Sequence, residues 1–510
     1  MAARDLAPPF AFRGTELSIS VATSPPASRR EIVILQGLVG AFLLMRLWFQ
    51  LNGGVLGDEA YYWMWGQHPG WSYFDHPPLH AWLLGAVSIL GWSPFTLRLL
   101  TWVSLAIVLA VLWAWSKRLN PADPQLWFWR ATAVYLSCPI FFVMTSSAYN
   151  DHLLVALSFA AVHCFVVFIE RKEAGKDGAL RWLFAAAALL GLATLTKYNA
   201  VLLGLGFALT NIIRPRLRTL LLTPWPWLAA LLAVAMQAPV LWWNLIEGGA
   251  TLRYHLDERW AGASDGLHWA NTLRFLALSL LFWSPFLVWP LVKLIRTPIA
   301  DPFGSPARTV ALAIFAASSA ILLVTSVLLD AYFYWNIVAL VAVTPLVAML
   351  TNRWLRALHY AYGLLWAVVV VIHFSVMPVT TLLGMKDYGV ALNYNWEAVA
   401  ERMTAQREAH PEALLAATRY STTAQLGFAL GTPDVVKLSP EHSQWDYWQE
   451  GRDFAGTSAL ILADEPDGSP PIEFLRSHFE TLDVVDSFTV DHLGKPLYDW
   501  RIFLGTGWKP

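Results

Sequence analysis

The chain has 510 residues, of which 56% are hydrophobic and 14% charged, with a mean hydropathy of +0.47. Soluble domains carry about 25% charged residues, so this is the composition of a polytopic membrane protein and not of a soluble enzyme. The formal net charge of −1 hides an asymmetry: residues 379 to 510 hold 10 basic and 19 acidic residues, leaving 25 and 17 for the first 378. The basic residues fall in short clusters between apolar runs and form no continuous face, which excludes a nucleic-acid footprint. No Walker or dinucleotide glycine motif occurs, so nucleotide chemistry is not indicated.

Residues 1 to 30 contain Pro and Ser, are weakly apolar, and read as a disordered cytoplasmic lead. Apolar spans follow near 31 to 52, 94 to 116, 128 to 147, 151 to 169, 181 to 196, 198 to 213, 220 to 243, 271 to 295, 309 to 329, 335 to 350 and 359 to 378. A helix needs roughly 20 apolar residues to cross a bilayer, so the pattern predicts about eleven or more transmembrane helices, several of them short. The 28 Trp residues fit, since indoles favour the membrane interface. Cys138 and Cys164 both lie inside apolar runs, where small buried hydrophobes are the default.

Orientation follows from the loops. Arg29-Arg30, Lys117-Arg118, Arg171-Lys172 with Lys176, Arg214 to Arg218, Arg296 to Arg308 and Arg353 to Arg356 all share one side if the N-terminus is inside, as the positive-inside rule requires. An odd helix count then puts residues 379 to 510 outside. That tail mixes helix-like WEAVAERMTAQREAHPEALLAA with strand-like SALILAD and VVDSFTV, predicting a small soluble α/β domain.

The polar residues gather on the outer side of this threading. The first outer loop, GDEAYYWMWGQHPGWSYFDHPPL, carries Asp58, Glu59, Tyr62, Asp75 and His76. The second supplies Asn150, Asp151 and His152, the third Lys197 and Tyr198. The fourth holds Arg253, His255, Asp257, Glu258 and Arg259, and the fifth Asp330, Tyr332, Tyr334 and Asn336. Ionisable groups at hydrocarbon depth are costly and mark function when they face a protein cavity. Each has a plainer reading: Asp58-Glu59 and Asp151 as helix caps, Lys197 snorkelling to lipid phosphates, Arg253 and Arg259 as solvated loop residues. His68, His80 and His268 read as interface or structural residues. Asp75, His76, His152 and His255 could assemble a metal site, but their spacing has no closed ligand motif.

Acids on one wall and bases on another suit a phosphate-linked lipid substrate. Basic groups hold the phosphate as it leaves, and a carboxylate takes the proton of an attacking hydroxyl.

The loop above, then Arg98-Leu99 opening the next helix, YNDHLL and LATLTKYNAVL, resembles the polyprenyl-phosphate-sugar-dependent glycosyltransferases of the GT-C superfamily. The nearest branch is the family 39/83-like bacterial group that includes protein O-mannosyltransferases and lipid A aminoarabinose transferases. The resemblance covers residues 31 to 378 and is strongest over 57 to 79. It implies an all-α GT-C membrane core with interfacial helices in the first outer loop, followed by a periplasmic domain over 379 to 510. It implies a sugar donor linked to polyprenyl phosphate and a hydroxyl acceptor on lipid A, lipopolysaccharide core, another envelope glycan or a protein.

By the same resemblance Asp58, with Glu59 beside it, activates the acceptor, and Asp151 is the second essential acid. His76 stands where the aminoarabinose transferases often have a lysine near the lipid phosphate. A histidine is fully charged only below about pH 6.5, so donor-phosphate binding falls to Lys197, Arg253 and Arg259 as well, with Tyr334 nearby. Tyr62, Asp75, Asn150, Tyr198 and Asn336 are expected substrate contacts. No cofactor is required by this chemistry; a divalent metal stays open, with Asp75 and His255 as its candidate ligands. A lipid-linked sugar transporter or flippase is the alternative, although transporters place their sites near the bilayer midplane.

Overall fold

The structure is a computed structural model that describes residues 29–255, 266–385 and 387–509. Among the described residues seven helices are long and apolar enough to cross a membrane, and up to eleven spans result if each of four bent helix pairs counts as one. This is a multi-pass membrane protein, and the eleven spans expected from the sequence are the upper count among the described residues.

The bends have a common cause. The pairs Pro124–Leu136 with Pro139–Ser146, Tyr198–Ile213 with Pro215–Leu222, Pro224–Ala235 with Ala238–Ile246, and Trp269–Trp283 with Pro285–Arg296 are bent by 75°, 104°, 48° and 83°. In each, the second half carries a proline in its first turn. Proline lacks the N–H that would continue the ladder and clashes with the preceding turn, so the helix breaks there.

One end of the bundle is tied by ion pairs among the basic loops. Arg130 forks onto Glu31 at 2.7 and 2.8 Å, at the start of helix α1 (Arg29–Asn52). Arg214 forks onto Glu173 at 2.8 and 2.5 Å, and Arg118 pairs with Glu170. These groups belong to basic loops that the threading puts on one side, and the structure gathers them at one end.

At the other end α1 leads into α2 (Gly57–Gln67) and α3 (Leu79–Val87). The Trp-bearing half of α2 is covered by protein, with Trp63 and Trp65 fully buried. Ile89 and Leu90, just after α3, are exposed.

The cover on α2 is the C-terminal sheet domain. Its strands β1 (Leu414–Ala417), β2 (Val436–Lys437), β3 (Ala459–Ala463), β4 (Phe479–His492) and β5 (Lys495–Trp508) form one sheet in the order β2-β1-β3-β5-β4. β1 pairs parallel with β2 and β3; β5 runs antiparallel to β3 and β4. Leu460 and Leu462 of β3 pack in one core and Ile461 in another, as side-chain alternation along a strand buried on both faces demands.

The docking is close. Tyr61 stacks on Trp445 with centroids 5.4 Å apart and planes at 11°, and its hydroxyl oxygen accepts the Gln444 N–H at 2.9 Å. Gln444 Oε1 accepts the Phe74 N–H at 2.7 Å, and Gln425 Nε2 donates to the Val55 carbonyl at 2.8 Å. At Gly54 a Cβ would lie 1.7 Å from the Asn393 carbonyl oxygen, so only glycine permits this approach of the two backbones.

Candidate active site

A cavity of about 690 Å³ opens at the end of the bundle opposite the ion-paired basic loops. Its wall includes Asp58, Tyr62, Asp75, His76, Asp151, Lys197, Tyr198, His255 and Tyr334, nine residues drawn from all five outer loops of the sequence reading. Helix ends deliver them: Asp58 sits in the first turn of α2, Asp151 in the first turn of helix Asn150–Glu173, and Lys197 caps the C-terminus of helix Ala179–Thr196.

Asp151 Oδ2 accepts the Lys197 ammonium at 2.8 Å, with both side chains nearly excluded from solvent. Lys197 Nζ also lies 4.9 Å from the Tyr334 ring centroid, a cation–π distance. Held this way, the lysine is fixed in the cavity and does not snorkel. Asp58 Oδ1 accepts a hydrogen bond from the Tyr420 hydroxyl at 3.1 Å. Burial pushes the Asp58 carboxyl above its ordinary range, while that hydrogen bond and the nearby Lys197 charge draw it back. The Asp58 charge, with burial, drives the Tyr420 phenol upward in turn, which keeps it a protonated donor.

Other expected site residues lie elsewhere. Glu59 is not on the cavity wall: it is wholly buried against Arg98, which donates Nε to Oε1 at 2.9 Å and Nη2 to Oε2 at 2.6 Å. The Leu56 N–H at 3.1 Å and the Ala148 N–H at 2.6 Å fill its remaining capacity. Glu59 thus caps α2 and braces the loop. Asn336 is also a brace, accepting from Ser318 Oγ at 2.6 Å and donating to Ser319 Oγ at 3.0 Å. Arg253 is exposed and donates to the Glu247 carbonyl at 3.3 Å, away from the wall. Asn150 is buried behind it. Arg259, with Asp257 and Glu258, lies outside the described residues.

Asp75 and His255 both reach the wall, but among the described residues no three His, Cys, Asp or Glu side chains converge in a group that could hold a metal ion. His152, the remaining histidine of the second loop, hydrogen-bonds Ser104 at 2.8 Å and His80 at 3.2 Å inside the bundle.

Tyr149, Tyr254 and Tyr420 line the cavity without having been singled out in the sequence. Tyr149 stands beside the Asn150-Asp151 pair and Tyr254 beside His255, so adjacency was their available signal. Tyr420 had none.

Residues 75–243 match the family model described as dolichyl-phosphate-mannose-protein mannosyltransferase. A lipid A galacturonosyltransferase, RgtD, from Rhizobium johnstonii is 26% identical over 377 residues, covering 72% of this chain and 73% of that protein. The crystal structure of ArnT from Cupriavidus metallidurans bound to undecaprenyl phosphate aligns over 94% of this chain and 98% of that one, with TM-score 0.58 and 16% identity. Its apo form gives the same TM-score at 15% identity. At such identities the two structures share the fold. Together with the helical bundle and its cavity, these likenesses are those of a membrane glycosyltransferase with a GT-C-like fold.

Proposed function

We propose that the chain moves a single sugar from a polyprenyl phosphate to a hydroxyl of lipid A, lipopolysaccharide core, another envelope glycan or a protein, at the periplasmic face of a bacterial inner membrane. The observation that carries this reading is one cavity holding a half-buried carboxylate, Asp58, together with a lysine fixed by Asp151. The undecaprenyl phosphate held by ArnT supports the donor class, and the lipid A galacturonosyltransferase supports a lipid acceptor.

In this reaction the acceptor oxygen attacks the anomeric carbon, the bond from that carbon to the phosphate oxygen breaks, and the hydroxyl proton passes to Asp58. Raised by burial, Asp58 is a better match to a hydroxyl proton than an exposed carboxylate. Lys197 balances the charge of the departing polyprenyl phosphate, aided by His76. One base and one leaving group suffice for direct displacement, so the anomeric configuration inverts. The site at the outer end of the bundle, away from the midplane, argues against a flippase.

The test is transfer of a labelled sugar from a synthetic polyprenyl phosphate by the detergent-solubilised chain, with and without chelator. Transfer by wild type and its loss in Asp58→Asn support the reading. An Asp58→Asn protein as fast as wild type refutes the base assignment, and no transfer from any polyprenyl-phosphate sugar refutes the donor class.

A further inference from the structure

Among the described residues Tyr420 is the side chain that the sheet domain contributes to the cavity wall. It opens the helix Tyr420–Leu430 just beyond the end of β1, and its mount is rigid. Thr418 Oγ1 and Arg419 Nε, the two residues before it, donate to Glu465 at 2.7 and 3.0 Å, and Arg419 also pairs with Asp464 at 3.3 Å. Glu465 and Asp464 follow β3, so the carboxyl ends of two neighbouring parallel strands are clamped together behind the tyrosine. In front, the Tyr420 ring lies 4.8 Å from that of Tyr61 on α2. A phenol held from both sides and aimed at a carboxylate is a fixed donor.

We propose that Tyr420 is a positioning residue for the transfer reaction: its hydroxyl holds Oδ1 of Asp58, fixing the carboxylate so that its other oxygen takes the acceptor proton. The sheet domain is thereby part of the catalytic machinery through one hydrogen bond. The transfer half of this inference rests on the function proposed above; the hydrogen bond and its effect on Asp58 do not.

Several charged groups also face Asp58. Glu59 precedes the next turn of α2 but is neutralised by Arg98. Asp75, His76, Asp151, Lys197, His255 and Asp330 line the same wall, as do the phenols of Tyr62 and Tyr149. All remain in place when Tyr420 alone loses its hydroxyl. A donor to a carboxylate favours the ionised form, so Tyr420→Phe raises the pH at which Asp58 loses its proton, by about one unit for a single hydrogen bond to a charge.

The experiment is carbodiimide-driven amine labelling of Asp58 in the full chain in detergent, read by mass spectrometry across pH, with sugar transfer measured in parallel. Carbodiimide needs the protonated carboxyl, and this arm needs no sugar donor. Expected is an upward shift of the Asp58 labelling midpoint by about one unit in Tyr420→Phe, the acid limb of transfer moving with it and the alkaline plateau retained. An unmoved midpoint overturns the proposal. So does an equal shift in Phe428→Leu, which disturbs the packing of Phe428 on Trp63 (centroids 5.5 Å apart) but keeps the hydroxyl; the effect would then belong to docking. A wild type that labels normally but transfers nothing counts against the proposed function instead.

Discussion

Asp58 and Glu59 are adjacent acids that should fail in opposite ways. Glu59 accepts two donors on each oxygen: Arg98 Nε and the Ala148 N–H on Oε1, Arg98 Nη2 and the Leu56 N–H on Oε2. In Glu59→Gln, whichever oxygen becomes an amide NH₂ sets one donor against two others, and the Arg98 guanidinium stays buried without its counter-ion. Breaking one partner of a buried pair costs about 3–5 kcal/mol, so this variant should melt well below wild type. Asp58→Asn keeps the shape and can still accept from Tyr420 through its amide oxygen. It also removes a charge that burial disfavours, so its melting temperature should hold. Without a general base its turnover should fall by about 10²–10⁴-fold. Thermal melts and labelled-sugar transfer on the same detergent preparations separate the two effects. The reasoning is refuted if Glu59→Gln melts like wild type yet is as inactive as Asp58→Asn, because Glu59 would then be acting on substrate.

The ion pair of Asp151 with Lys197 at 2.8 Å predicts non-additive losses: Lys197→Met should raise the KM for the donor roughly 10- to 100-fold, the worth of a hydrogen bond to a charge, and Asp151→Asn should add little to it. A double-mutant cycle showing less than about 0.5 kcal/mol of coupling would contradict this. For pH, Asp58 serves only when ionised, and burial raises its pKa above 3.8. Activity should therefore disappear as pH falls through that raised value; an acid limb of kcat/KM at or below 3.8 would disprove it. Trp445 is 3% exposed and stacked on Tyr61, so Trp445→Ala should cost about 3–5 kcal/mol and speed protease release of the sheet domain; an unchanged melt and digest would show that the docking rests elsewhere.

The bundle was legible because a bilayer-length apolar run is a strong signal and the basic loops fix its direction. The bends were less so: Pro139 fell inside a span that reads as continuous, and only the 75° angle there shows that the helix breaks. The end that holds the cavity was legible too, since polar residues at span ends have few uses in hydrocarbon. What the string could not resolve was the division of labour inside a cluster. Successive residues on a helix point about 100° apart, so Asp58 and Glu59 meet different surroundings. Which of them lines the cavity depends on where Arg98 lies, and its pairing spans 39 residues. The same limit separates Tyr334, which reaches the wall, from Asn336, which turns back to Ser318 and Ser319. Tyr420 lies 362 residues from its partner, in a domain whose acidic composition marked it only as soluble. The role proposed for it rests on the sheet domain docking through Tyr61, Gln444 and Gln425, long-range contacts that no local pattern announces. The proposed base, Asp58, is thus held by a residue of the sheet domain, so on that proposal it is not fully formed until the sheet domain has docked.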